Sequence, residues 1–471
     1  MIAPSDRLVG RNFLKLGAGE VIARVLAFGG SLYLARALGA EMYGVVGVAM
    51  AILLYFNRLT DAGLDLVGMR EIAGDRDAAP AIVRSVLGFR ILLSLGLTGL
   101  LASIAAMWLP RPDGLVLAVF ALTLLPVGAS TRFVHLGFER GGYAAAARVA
   151  GEAVILLLVV LLVRSPDDAL RVPFAHVLGL GTTAALLAWW MRTYGIPFRA
   201  RIDWALLRPI LRRSMHVVGS AMLGLIAFNA DLIFLRILHG AQTAGWYAAA
   251  YMPISLAINL GIAYRLSLLP ALSRLAPTPE RQRGLYHTAI AQVFAIVMPT
   301  ALAGMLLAPL AIAFLFGGEY APAGPVLQLL IWAIPLAQLR EPAIAALVSA
   351  RREDRLLPAT AISTALNLAL NVLLIPPYGM LGAAIATVST EGVRLAMLLW
   401  YSRAAGFSFA RADRFWRVLV ATAVMGGVLL ALNGVAHFLV AAASAAAIYA
   451  LTLLLLGGIR LRRGELPALS V

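Results

Sequence analysis

Apolar runs of about twenty residues recur along the whole chain, and charged residues fall mainly between them. A helix that crosses a bilayer needs about 20 apolar residues. Runs of this kind stand near 13–37, 43–60, 85–109, 114–136, 143–163, 169–191, 214–238, 244–264, 285–308, 323–348, 356–376, 379–402, 416–434 and 437–459. Fourteen spans use about 280 residues at that length. This matches the 61% hydrophobic share of the 471 residues and leaves only short connectors. A large soluble catalytic or binding domain is therefore excluded. A β-barrel is disfavoured too, because barrel strands read as weak alternation and not as long apolar runs. The expected fold is an all-α polytopic membrane protein of about fourteen transmembrane helices.

The connectors orient the spans. With a cytoplasmic N-terminus, 27 cations fall on the cytoplasmic side, among them Arg7, Arg11, Lys15, Arg265, Arg411, Arg414, Arg460, Arg462 and Arg463. Three fall on the other: Arg111, Arg164 and Arg171. Such asymmetry over short loops follows the positive-inside rule and places both termini in the cytoplasm. The net charge of +16 thus reflects topology, and no nucleic-acid partner is expected. The first run carries Glu20 and Arg24 and is too long for a cleavable signal, so it reads as the first helix. The connector around 202–214, "IDWALLRPILRRS", is basic and amphipathic and is expected at the headgroup surface.

A short pattern repeats. "RALGAEMYG" (36–44) returns as "RILHGAQTAG" (236–245), each in the outer turn between two spans. Gly39 and Gly44 correspond to Gly240 and Gly245, and glycine permits a tight helix-turn-helix. The offset of about six helices predicts two six-helix lobes in parallel orientation. The expected division is 1–191 for the first lobe and 192–213 for a cytoplasmic connector. The second lobe takes 214–402, and 403–471 holds two further helices and the tail.

Charges inside spans are costly and should face a hydrated interior or a partner. Nine arginines remain once the loops are assigned: Arg24, Arg36, Arg58, Arg90, Arg132, Arg148, Arg236, Arg340 and Arg394. Five acids accompany them: Glu20, Glu152, Asp231, Glu341 and Glu391. The pairs Glu20–Arg24, Arg148–Glu152 and Glu391–Arg394 have the spacing of one helical face. Arg36, Arg58, Arg132 and Arg236 can reach the interfaces by snorkelling. The positive surplus suggests a cationic cavity for an anionic group, with Arg24, Arg90, Arg340, Arg58 and Arg394 as candidate cargo contacts. Glu20, Asp231, Glu341 and Glu391 are the candidate ion-coupling carboxylates. The polar residues Asn57, Asn229, Asn259, Gln292, Asn367 and Asn371 read first as interhelical hydrogen bonds. There is no cysteine, Walker A pattern or HExxH motif. No cofactor or metal site is expected, and the short outer loops offer no place for a glycan-polymerising centre.

Two stretches resemble a known family. "LARALGAEMYGVVGVAMAILLYFNRLTDAGLDLVGMREIAG" (34–74) is similar to the N-terminal signature of the polysaccharide transporters. These are the oligosaccharide flippases of the multidrug/oligosaccharidyl-lipid/polysaccharide (MOP) exporter superfamily. The matching elements are Leu34 to Gly39, Tyr43-Gly44, Asp61 to Leu64 and Arg70-Glu71. "IPPYGMLGAAIATVSTEGVR" (375–394) resembles the family's junction between its eleventh and twelfth helices. The resemblance implies two lobes around a central cavity that opens alternately to each side. It implies a plasma-membrane flippase that is not an enzyme. Its cargo would be a polyprenyl-diphosphate-linked oligosaccharide for O-antigen, capsule or exopolysaccharide, moved from the cytoplasmic to the outer leaflet. Membrane lipids and other glycan-assembly membrane proteins are the remaining candidate partners. The alternatives are a multidrug/cation antiporter of the same superfamily, which the surplus of positive charge opposes, and a lipid II flippase, which it does not.

Overall fold

The computed structural model describes the backbone of residues 4–408, 415–432, 438–460 and 468–469. Side chains are described from Leu16 to Gly458, apart from those of 216, 217, 220, 221, 223–229 and of the undescribed backbone segments. The readings on Arg7, Arg11, Lys15, Asn229, Arg411, Arg414, Arg460, Arg462 and Arg463 concern side chains outside this set.

The chain is helical almost throughout. The helices are α1 (Pro4–Asp61), α2 (Leu64–Gly74), α3 (Ala79–Trp108), α4 (Asp113–Ala121), α5 (Leu124–Gly128), α6 (Arg132–Gly137), α7 (Gly141–Leu162) and α8 (Arg171–Met191). They continue as α9 (Trp204–His239), α10 (Ala241–Arg274), α11 (Pro279–Phe316), α12 (Ala323–Leu330), α13 (Ala333–Ser349), α14 (Leu356–Ala404), α15 (Trp416–Leu432) and α16 (Phe438–Leu455). A two-residue antiparallel ladder joins Ile459–Arg460 to Ala468–Leu469. Ten runs among the described residues are long and apolar enough to cross a membrane, so the protein is a multi-pass membrane protein. Two of these runs, 16–74 and 353–404, are each interrupted by a glycine where the sequence places a junction between spans. Gly39 sits at φ 68°, ψ 172° and Gly379 at φ 54°, ψ −129°.

The chain divides into two compact units, Met1–Gly245 and Trp246–Val471. In the first, small residues let helices approach closely, as membrane helices require. Gly19 meets Ala145, bringing α1 onto α7. Gly151 and Gly179 each face the other's carbonyl across α7 and α8. Gly114 lies against the carbonyls of Ala105 and Leu109 at the α3–α4 turn. A core under α2 and α3 gathers Leu64, Ile72, Val83, Val86, Phe133 and Leu207. Residues 204–213 form the first turns of the continuous helix α9, with Asp203 capping the N–H groups of Ala205 and Leu206. With its start capped by Asp203, one helix runs on past Pro209.

In the second unit α11 is the central helix. Leu307 packs with Met425, Leu429, Ala441 and Ala445 of α15 and α16. Tyr449 Oη donates to the Ala295 carbonyl at 2.6 Å. A second repeat is visible in the fold. Both α4 and α12 end in a turn of two residues, Leu122-Thr123 and Ile331-Trp332. Each is followed by a helix with proline at its third position, Pro126 and Pro335.

Candidate functional site

The first intramembrane charge cluster lies on α1 and α7. Arg24 Nη2 meets Glu20 at 2.9 Å and Arg148 Nη2 meets Glu152 at 3.1 Å, the two expected one-turn pairs. The Gly19–Ala145 approach brings the pairs together, so Glu152 also feels the charges of Glu20 and Arg24. Arg24 lies within the apolar run of 13–37 on α1, and Arg148 lies about 10 Å past the start of α7 at Gly141. Their side chains are 36% and 49% exposed. Each guanidinium holds its carboxylate through one nitrogen, which leaves N–H donors free for a second oxyanion.

The second cluster is a strut. Arg90 on α3 is 2% exposed. Its Nη1 donates to Asp65 at 2.7 Å, its Nη2 donates to the Val127 carbonyl at 2.9 Å, and Asp61 lies 3.9 Å away. The two aspartates flank a sharp break between α1 and α2, where Ala62 (φ 48°) and Gly63 (φ 70°) are both left-handed. One buried guanidinium therefore ties α3 to that break and to the end of α5. Asp61 and Asp65 sit at a helix break and not within an apolar run. The sequence signal for them is Asp61 in the 61–64 motif with Asp65 directly after it, four residues apart. Arg58, at the end of α1, is exposed.

Arg236 and Asp113 form a fork-to-fork pair at the other end of this unit, with Nε to Oδ1 at 2.8 Å and Nη2 to Oδ2 at 2.6 Å. Snorkelling was the expectation for Arg236. The bidentate partner instead comes from the start of α4, which sequence spacing could not place. Asp231, one turn and a residue earlier, is buried and accepts from the Leu232 N–H.

The third cluster is in the second unit. Arg340 bonds Glu391 across α13 and α14 and also lies 3.3 Å from Glu341. Arg265 Nε approaches Glu341 at 3.3 Å. Two expectations change. Glu391 pairs with Arg340, and Arg394 instead donates to Thr360 Oγ1 at 3.3 Å. A buried carboxylate takes the guanidinium aimed at it by the neighbouring helix over one on its own helix. Arg265 is not a loop cation: it lies inside α10, turned toward a carboxylate that is 3% exposed. Three arginines thus accompany two glutamates in this cluster.

Interhelical polar contacts follow the expected pattern in part. Asn367 Nδ2 reaches Thr390 Oγ1 at 3.4 Å across the two halves of α14. Asn371 Nδ2 donates to Asn367 Oδ1 at 3.0 Å. Tyr264 Oη donates to Gln292 at 3.4 Å, while Asn259 Nδ2 donates to the Ser255 carbonyl of its own helix. Among the described residues no His, Asp and Glu group is arranged to hold a metal.

The repeated glycines meet. Gly39 and Gly240 adopt the same backbone state, φ 68°, ψ 172° and φ 90°, ψ 175°. A Cβ on Gly44 would fall 1.9 Å from the Ala241 carbonyl oxygen, and one on Gly245 would fall 1.8 Å from that of Ala40. The two copies therefore face each other reciprocally, with glycine required on both sides of the contact.

Comparison with known proteins agrees with this architecture. Residues 9–276 match the family model described as polysaccharide biosynthesis protein. Residues 144–451 match that of the lipid II flippase MurJ. The chain is 24% identical over 445 residues to a probable low-salt glycan biosynthesis flippase, Agl15, of Haloferax volcanii, covering 89% of each chain. The fold is similar to a lipid II flippase MurJ in an inward closed conformation, with TM-score 0.80, 11% identity, and 94% and 98% of the two chains covered. It is also similar to an inward-facing multidrug resistance MATE family transporter of the MOP superfamily, with TM-score 0.70, 17% identity, and 81% and 94% covered. The chain belongs to the polysaccharide biosynthesis protein family, matches the lipid II flippase MurJ model over more than half of its length as well, and is a flippase of lipid-linked glycan.

Proposed function

We propose that this protein moves a polyprenyl-diphosphate-linked oligosaccharide from the cytoplasmic to the outer leaflet of the plasma membrane for surface polysaccharide assembly, such as O-antigen, capsule or exopolysaccharide. Both termini are cytoplasmic in this reading. Residues 1–191 and 214–402 act as the moving lobes, with 192–213 joining them and 403–471 attached to the second. The observation that carries it is the exposure of Arg24, inside the apolar run of 13–37, and of Arg148, about 10 Å along α7. Guanidinium groups at that depth need water or an anion. A diphosphate supplies the anion, the sugars occupy a hydrated path, and the prenyl chain stays in lipid. The three-to-two excess of arginine in the α10–α13–α14 cluster adds a net positive charge that the balanced pairs on α1 and α7 lack.

The test is the sidedness of lipid-linked oligosaccharide in cells with and without the protein. Accumulation on the cytoplasmic face on deletion, reversed by re-expression, is the expected result. An unchanged distribution with altered sensitivity to cationic dyes would overturn the reading in favour of drug export. A second reading, a peptidoglycan-precursor flippase, is favoured by the MurJ model's match to 144–451. The two separate by which lipid-linked species accumulates, read by mass.

A further inference from the structure

We infer that residues 198–213 form a binding surface for anionic phospholipid headgroups, held at the bilayer interface by the first unit. The segment has two faces of opposite chemistry. Ile196, Leu207 and Ile210 are 3%, 0% and 4% exposed and belong to the core under α2 and α3. Ser214, on the same stripe, is fully buried. The opposite stripe carries Trp204, Arg208 and Arg212 at one-turn spacing, all exposed. Phe198, Arg199 and Arg201 are exposed just before it. Unlike Arg213, which bonds Glu71 at 2.6 Å, the side chains of Arg199, Arg201, Arg208 and Arg212 make no ion pair among the described residues. Since the apolar face is already committed to protein, the cations and the two aromatic rings are what the segment presents outward.

The level of this surface in the membrane follows from its contacts. The Arg201 N–H donates to the Arg84 carbonyl at 3.2 Å. Arg84 is the last residue before the apolar run of α3, so Arg201 stands where hydrocarbon gives way to headgroups. Trp204 meets Phe89 edge to face, with ring centroids 6.3 Å apart, about 7.5 Å further along α3. An exposed tryptophan just inside that boundary, with arginines at and outside it, is the arrangement of an interfacial anchor. Four guanidiniums without an ion pair among the described residues, within about fifteen positions, supply the charge that anionic headgroups neutralise, while Asp203 is occupied in capping α9. The surface is independent of cargo chemistry, so it stands whether or not the proposed glycan is correct.

The experiment uses the full-length protein, delipidated in detergent and titrated with phosphatidylglycerol or phosphatidylcholine, with retained lipids counted by native mass spectrometry. The variants are Arg199→Gln/Arg201→Gln/Arg208→Gln/Arg212→Gln and the same four positions changed to Lys. A control removes four exposed arginines elsewhere: Arg274, Arg351, Arg352 and Arg403 to Gln. The wild type, the Lys variant and the control are expected to retain phosphatidylglycerol over phosphatidylcholine, and the first Gln variant to lose that preference by about tenfold. The preference is also expected to weaken in the wild type as salt is raised toward about 1 M. Equal loss in the control would show a general charge effect and overturn the assignment. So would a wild type without preference, or a preference that ignores salt. If the first Gln variant fails to fold, the Lys variant and the salt titration still decide the matter.

Discussion

Gly44 and Gly245 face one another so closely that neither position has room for a β-carbon: each would strike a carbonyl of the opposite turn at under 2 Å. The two residues occupy the same place in the repeated segments 36–44 and 236–245. A sequence repeat has become a reciprocal contact of backbones. Substitution to alanine must push the turns apart, because the obstructing atoms are main chain and cannot rotate away.

Gly44→Ala and Gly245→Ala are each expected to lower glycan transport at least about tenfold, with a stability loss of about 1–3 kcal/mol from overpacking. Complementation of a deletion strain and thermal melting of the purified protein check this. A fully active Gly44→Ala would mean that the two turns need not approach during the transport cycle.

Arg90→Ala is expected to act on folding. It leaves Asp61 and Asp65 without their buried counter-ion, a loss of about 3–5 kcal/mol by analogy with broken buried pairs. Adding Asp65→Asn is expected to recover part of that loss. Melting curves of the single and double variants measure it, and an Arg90→Ala protein that melts like the wild type but fails to transport would return Arg90 to the cargo path.

Arg24→Ala is expected to do the reverse. Its pair with Glu20 is more than a third exposed, and exposed pairs are worth about 0–1 kcal/mol, so the melting temperature should barely move. Flipping should fall at least about tenfold, with partial recovery in Arg24→Lys, which keeps the charge and loses the fork. Wild-type flipping by the alanine variant would remove Arg24 from any role with an anionic cargo.

The partner of Glu391 can be settled by double-mutant cycles in stability. The Arg340–Glu391 cycle is expected to give a coupling of about 2 kcal/mol or more, and the Arg394–Glu391 cycle a clearly smaller one. Equal couplings would mean that the helical neighbour competes on even terms with the residue across the interface.

The pattern of apolar runs and the placement of cations were sufficient to identify a polytopic helical membrane protein, because a bilayer enforces both rules locally along the chain. The one-turn pairs Glu20–Arg24 and Arg148–Glu152 were legible for the same reason: their geometry is that of a single helix. The repeat at Gly39–Gly44 and Gly240–Gly245 was legible as a turn, and the shared backbone state at Gly39 and Gly240 agrees with it. Every contact between helices had to wait for the structure. Asp113 for Arg236, Asp65 for Arg90, Glu391 for Arg340 and Glu341 for Arg265 are partners separated by 123, 25, 51 and 76 positions. No local periodicity carries that information. Which carboxylate a buried guanidinium meets depends on how helices rotate and slide against each other. That is decided by the packing of small residues such as Gly19 on Ala145, where close approach of two helices fixes what their neighbouring charges can reach.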